Sequence, residues 1–74
     1  MNQNVWHLVD IVDDGKLSYR TLGAMMIWCD TNVGKESHYW DWVHIANEQS
    51  ILKNVFRFRF KDKNHAIIFK LIWF

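Results

Sequence analysis

Apolar and basic residues alternate strictly along residues 55–61 of the chain. The apolar set is Phe56, Phe58 and Phe60, and the basic set is Arg57, Arg59 and Lys61. Successive side chains of a strand point to opposite faces, so the pattern predicts a β-strand with a buried aromatic face and a solvent-exposed basic face. The rest of the fold is expected to form around this strand.

A polar break at residues 62–64 separates this strand from a final apolar run. Both ends of the break are candidates for a helix N-cap. We therefore expect a short helix from residue 65 to 71 or 72 that folds back over the phenylalanines, with Trp73 and Phe74 leaving it. Residues 67–74 could instead form a terminal strand, because they are β-branched and aromatic and short apolar runs are ambiguous by periodicity.

Two further segments, residues 5–12 and 38–45, also have strand patterns. In the first, one face holds Val5, His7, Val9 and Ile11, and the other holds Trp6, Leu8, Asp10 and Val12. In the second, the two faces hold Tyr39, Asp41, Val43 and Ile45, and His38, Trp40, Trp42 and His44. If Tyr39, Val43 and Ile45 face the core, Trp40 and Trp42 lie on the outer face beside the arginines. The pattern alone does not decide whether the two tryptophans are core or surface.

Residues 17–33 are expected to form a helix. Its apolar stripe follows steps of three and four residues along Tyr19, Leu22, Met26, Cys29 and Val33. Ser18 is the favoured N-cap, with Asp14 as the alternative, and Gly34 fits the left-handed position that ends helices. Gly23 predicts a close approach of this helix to the sheet, because glycine is costly in a helix interior.

The predicted order is β-α-β-β-α in a single α+β domain that covers residues 1–74. Residues 13–16 are expected to form the turn after the first strand, and residues 47–54 the hairpin connection. A right-handed crossover followed by a hairpin places the third strand in the centre of a three-stranded, mainly antiparallel sheet, with two helices on one face. This is a ferredoxin-like fold that lacks its last strand. The first strand then has an open edge that another chain could pair with.

The composition excludes several classes of function. The net charge is +1, which argues against a generic polyanion binder, although six of the nine basic residues fall at or after Lys53. The four histidines lack the i, i+4 spacing of a helical metal site, and the three glycines form no phosphate loop. Asp10, Asp13 and Asp14 could form a carboxylate cluster but are also typical of a turn. We expect no enzyme, metal or cofactor.

The lone cysteine, Cys29, excludes an intramolecular disulfide and falls on the apolar stripe, where an inert thiol is expected. Residues 1–4 contain no basic residue ahead of the first apolar run, unlike a secretory signal. No apolar stretch reaches the roughly 20 residues of a membrane span. These features favour a cytoplasmic protein without a membrane partner.

The sheet face opposite the helices is the best candidate site. Interleaved Trp and Arg could stack bases and neutralise phosphates, could form a protein-binding hot spot, or could merely keep the face soluble. We favour a protein partner over single-stranded nucleic acid. The expected binding residues are Trp40, Trp42, Arg57, Arg59 and Lys61, and a possible self-association surface holds Trp28, Trp73 and Phe74.

The aromatic–basic strand at residues 56–62, with Ala66 and residues 69–73, resembles an ending found in small uncharacterised accessory proteins of tailed bacteriophages. Residues 23–29 are similar to another part of them. The resemblance implies a small phage protein in the host cytoplasm that binds a host or phage protein and inhibits a host process or defence system. It implies no catalytic residue.

Overall fold

The computed structural model describes residues 5–13, 17–46 and 54–74. The elements are β1 His7–Asp13, α1 Tyr19–Asn32, β2 Trp40–Ala46, β3 Asn54–Phe60 and α2 Lys63–Trp73. This confirms the predicted order, although β1 and β2 each begin two residues later than the sequence pattern indicated. Of the turn predicted at 13–16, Asp13 belongs to β1 and residues 14–16 lie outside the described residues. Of the connection predicted at 47–54, Asn54 belongs to β3 and residues 47–53 lie outside the described residues.

The sheet has the strand order β1-β3-β2, so the phenylalanine strand is central, as predicted. Both neighbours run antiparallel to it. The register is symmetrical: Phe60 lies opposite His7 on one side and Trp40 on the other, and Asn54 lies opposite Asp13 and Ala46. Each β3 position thus has a partner on both sides, which decides which side chains share a face.

Both helices cover the phenylalanine face of the sheet. The buried core consists of Val9, Ile11, Leu22, Met25, Cys29, Trp40, Phe56, Phe58, Phe60, Ala66 and Phe69. Because residues from α1 and α2 join the β3 phenylalanines in one cluster, neither of the two described helices lies on the opposite side of the sheet. Burial of this much aromatic surface is the main stabilising contribution available to so short a chain.

The join between β3 and α2 is direct. Asp62 is extended and caps α2, since its carboxylate accepts a hydrogen bond of 2.8 Å from the backbone N–H of Asn64. The helical alternative for the end of the chain is therefore confirmed. The prediction that Trp73 leaves the helix is wrong: it is the last residue of α2 and packs against the core, 6.4 Å from Phe69 between ring centroids.

Helix α1 begins at Tyr19, and the predicted cap is confirmed because the Ser18 hydroxyl accepts a 3.0 Å hydrogen bond from the Thr21 N–H. The predicted stripe is partly wrong. Tyr19 is 89% exposed, because the buried side of the helix runs through Leu22, Met25 and Cys29. In the middle of the helix it is Met25 that is buried, while Met26 is only partly so.

Gly34, just after α1, and Gly23, inside it, differ in how much space surrounds them. Gly34 has a φ of 140°, as its helix-ending position predicted, and an added Cβ would lie 2.6 Å from the Tyr39 ring. An added Cβ at Gly23 would meet nothing within 4 Å. The expected close approach to the sheet at Gly23 is therefore wrong, since there is open space where the sheet was predicted to be.

Candidate protein-binding surface

The sheet side that faces away from the helices is called the open face. Its strand residues are Leu8, Asp10 and Val12 of β1, Val55, Arg57 and Arg59 of β3, and Asp41, Val43 and Ile45 of β2. They alternate with the buried residues, which follows from the two-residue period of a strand. Arg57 and Arg59 lie on this face as predicted.

Each arginine of the open face is bound to an aspartate on a neighbouring strand. Arg57 lies opposite Asp10 in the register and donates to both carboxylate oxygens, at 2.8 and 3.0 Å. Arg59 lies opposite Asp41 and also donates to both oxygens, the Nε bond being 2.6 Å. These fork-shaped pairs fix the planes of the guanidinium groups. The four charges cancel, so the open face is far less basic than its β3 residues alone suggest.

The ion pairs shift the pKa values of their members. Hydrogen bonding from Arg57 lowers the pKa of Asp10, against a smaller opposing effect of desolvation. The same hydrogen bond raises the pKa of Arg57, and the hydrogen bond with Asp41 raises that of Arg59. Both arginines therefore stay charged and paired at neutral pH.

Trp6, just before β1, is a member of this surface that the sequence did not single out. The guanidinium carbon of Arg59 lies 5.2 Å from the centre of a Trp6 ring, and the Lys61 ammonium lies 5.5 Å from it. Both distances are within the range of cation–π attraction. The alternation of residues 5–12 had placed Trp6 on the same side as Asp10, but only the strand register shows that this side carries the arginines.

Apolar side chains lie between the ion pairs and are open to solvent. Leu8, Val12 and Val43 are 48%, 51% and 40% exposed. Val12 is opposite Val55, which is in turn opposite Ile45, so one end of the open face is a row of three β-branched residues. The face thus combines neutralised charge with exposed aliphatic surface.

The placement of Trp40 and Trp42 on the open face is wrong. Trp40 is fully buried, stacks on Phe58 with 6.1 Å between ring centroids, and donates a 2.8 Å hydrogen bond from Nε1 to the Gly34 carbonyl. Trp42 is partly buried, 6.3 Å from Phe56. The register pairs both tryptophans with phenylalanines, and the larger ring surface takes the core side. Val43, expected in the core, is consequently on the open face.

The residues predicted for self-association are brought together only in part. Trp28 and Trp73 both pack on Phe69, Trp28 with its ring at 5.9 Å in an edge contact, and both are partly buried. Phe74 is 67% exposed. The exposed apolar residues of this end, called the α2 outer face, are Ile68, Leu71, Ile72 and Phe74.

The remaining reactive groups are not arranged as a site. Cys29 is fully buried, and burial raises the pKa of its thiol to about 12, so the nucleophilic thiolate is suppressed at neutral pH. Within residues 5–13, 17–46 and 54–74, no three His, Cys, Asp or Glu side chains are grouped so as to hold a metal ion. The carboxylate cluster considered around Asp14 includes a residue outside these ranges.

Comparisons with protein-family models, with curated proteins and with solved structures give no match to this chain. Neither described helix is long and apolar enough to cross a membrane.

Proposed function

We propose that this protein is a non-enzymatic binding module that docks another protein on its open face. The observation that carries the proposal is the exposure of Leu8, Val12 and Val43 around two ion pairs that are satisfied within the sheet. Interfaces favour aromatic residues and Arg and are depleted in unpaired charge at their centre. The partner that fits is a protein surface with apolar side chains at its centre and polar groups at its rim.

The paired arginines favour protein over single-stranded nucleic acid, the alternative function. A phosphate would have to compete with Asp10 for Arg57 and with Asp41 for Arg59, whereas nucleic-acid affinity depends on cations that are free to replace counterions. The Trp6 ring, which could otherwise stack on a base, lies against two cationic side chains. The open face is thus better suited to apolar contact than to a polyanion.

The proposed setting is that of a phage accessory protein acting in the host cytoplasm, where it would bind and block a host or phage protein. The likeness of residues 56–73 to such proteins supports this setting. A buried thiol with a pKa of about 12 supports a role without covalent catalysis. The shape and charge of the open face support binding as the mode of action.

The test is affinity capture from bacterial lysate with three tagged proteins: wild type, the double variant Val12→Ser with Val43→Ser, and the control Tyr19→Ser. The double variant removes exposed apolar surface from the open face, while the control removes the aromatic ring of Tyr19, which is 89% exposed on α1. Each sample is divided, and one half is treated with nuclease. All three proteins must first show the same far-ultraviolet spectrum and a cooperative melting transition.

The proposal expects a stoichiometric protein that survives nuclease, is retained by the Tyr19 control and is lost from the double variant. A captured protein that the double variant retains would place binding elsewhere and overturn the assignment of the open face. Loss of the captured material on nuclease treatment, with a steep salt dependence, would favour the nucleic-acid alternative instead.

A further inference from the structure

A cleft of about 310 Å³ runs between the outer edge of β1 and helix α2. On the helix side it is lined by Lys63, Ala66, Ile67 and Lys70. These residues are spaced three, four and seven apart and so share one face of the helix. Trp6, His7 and Leu8 line the other side, at the start of the edge strand. The cleft is therefore bounded by a helix face and a strand edge.

The strand side of the cleft offers backbone hydrogen bonds. β1 is at the end of the strand order and pairs only with β3 among the described strands. In an antiparallel pair, every second residue turns its N–H and C=O away from its partner strand. These outward groups are a template on which an extended segment of another chain can add as a further strand.

The helix side of the cleft offers positive charge. Lys63 and Lys70 are both exposed, and no carboxylate is among the residues that line the cleft. The nearest acidic residue along α2, Asp62, is occupied as the cap of that helix. Neither lysine makes a salt bridge within the part of the chain that the structure describes. Their charges are thus available to a ligand.

We propose that the cleft binds an extended, acidic segment of a partner protein, which adds to the edge of β1 as a fourth strand. Alternate side chains of such a segment would point toward α2, and these would be acidic. Lys63 and Lys70 are about 10 Å apart along the helix axis, while alternate strand residues are about 7 Å apart, a difference that flexible lysine side chains can span. The intervening side chains would face Leu8 and Trp6, and these would be apolar.

A strand of protein fits this cleft better than a nucleic acid does. The cleft offers the edge of β1, which no other described strand pairs with, and the small apolar surface of Ala66 and Ile67, and both suit a peptide. The largest ring in the cleft lining, that of Trp6, already lies against Arg59 and Lys61, so it is less available to stack on a base. The cleft shares Trp6 and Leu8 with the open face, but its test changes Lys63 and Lys70 rather than open-face residues, so either proposal can fail alone.

The probe is a fluorescein-labelled, end-capped peptide in which Glu and Val alternate, titrated by fluorescence anisotropy. The test variant is Lys63→Ala with Lys70→Ala, and the charge-matched control is Arg20→Ala with Lys35→Ala. All four side chains are exposed, and Ala is a strong helix former at the positions that lie in helices. We expect binding about tenfold weaker in the test variant, and unchanged in the control and in the open-face double variant.

Two isomeric peptides test whether the segment adds as a strand. In one, the Glu amides are N-methylated, and in the other the Val amides are, so each isomer has lost the donors of one strand edge. Strand addition predicts that one isomer binds like the parent peptide and the other does not bind. Equal binding of both isomers, equal binding of a Lys-Val peptide or an oligothymidylate, no binding of the parent peptide, or full binding by the lysine variant would each overturn the proposal.

Discussion

Asp10 and Arg57 are 47 positions apart in the chain, yet they lie opposite each other on β1 and β3 and share hydrogen bonds of 2.8 and 3.0 Å. The pair joins the first strand of the sheet to the third through their side chains. It also gives the stability of the protein a defined dependence on pH.

We expect Asp10→Asn to destabilise the protein at neutral pH but not in acid. The Arg57 hydrogen bond lowers the pKa of Asp10 in the folded state, below the unfolded value of about 3.9. Stability from the ionised carboxylate is therefore fully present above the unfolded pKa and is lost as pH falls through the folded pKa. Urea unfolding of both proteins across this range measures the effect. Asp30→Asn, which removes an exposed carboxylate on α1, is the control. A difference between wild type and Asp10→Asn that stays constant down to the lowest pH would contradict this assignment.

Trp40→Ala should unfold the protein or come close to it. Truncation of a buried aromatic residue costs about 3–5 kcal/mol, which is comparable with the whole stability of a small domain. Trp40→Phe keeps a ring against Phe58 but loses the hydrogen bond to the Gly34 carbonyl, so we expect a smaller loss of about 1–2 kcal/mol. Chemical denaturation gives both values. If Trp40→Ala melts like wild type, the core position of this ring is wrong.

Alanine should have opposite effects at two glycines. Gly34→Ala places a Cβ against the Tyr39 ring at a φ of 140°, so we expect destabilisation of about 1–3 kcal/mol. Gly23→Ala fills open space in the middle of α1 and should stabilise by up to about 1 kcal/mol. The two variants share the same chemical change and serve as controls for each other. Shifts of the same sign in thermal melts would show that one of these environments is misassigned.

The α2 outer face should make the melting temperature depend on protein concentration. Leu71 is 76% and Phe74 67% exposed, and an exposed apolar patch of this kind often marks an interaction site. If two copies associate through this surface, the wild type will melt at a lower temperature after about a hundredfold dilution. Leu71→Glu should abolish the dependence, and Tyr19→Glu on α1 should preserve it. A monomer by sedimentation at the highest concentration would eliminate this self-association.

The central strand and the capped helix after it could be predicted from sequence because their signals are local. The Phe/Arg alternation has one apolar and one charged side, so only one orientation is reasonable. Asp62 is a cap residue at a fixed spacing from the helix it starts. These features depend on few residues and on no distant partner.

The orientation of β2 could not be predicted in the same way, because both of its sides carry apolar residues. Val43 and Ile45 compete with Trp40 and Trp42 for the core, and the outcome depends on which set faces the β3 phenylalanines. A shift of register by one residue would exchange the two sides. The ion pairs of Arg57 and Arg59 could not be predicted for the same reason. Their aspartate partners lie on neighbouring strands, and the register of those strands is set by the whole fold.

The direct join through Asp62 bears on the order of folding. Phe69 contacts Phe58 and Phe60 at 4.9 and 5.3 Å between ring centroids, across a short stretch of chain that needs no loop to close. Contacts of short sequence separation have a low entropic cost, so β3 and α2 are expected to dock before β1 joins from the far end of the chain. Stopped-flow refolding should then show that Phe69→Leu mainly slows folding, whereas Val9→Ala mainly accelerates unfolding. The segment from β3 to α2, which is synthesised after β1, would thus form the nucleus, and β1 would stay unpaired until that nucleus exists.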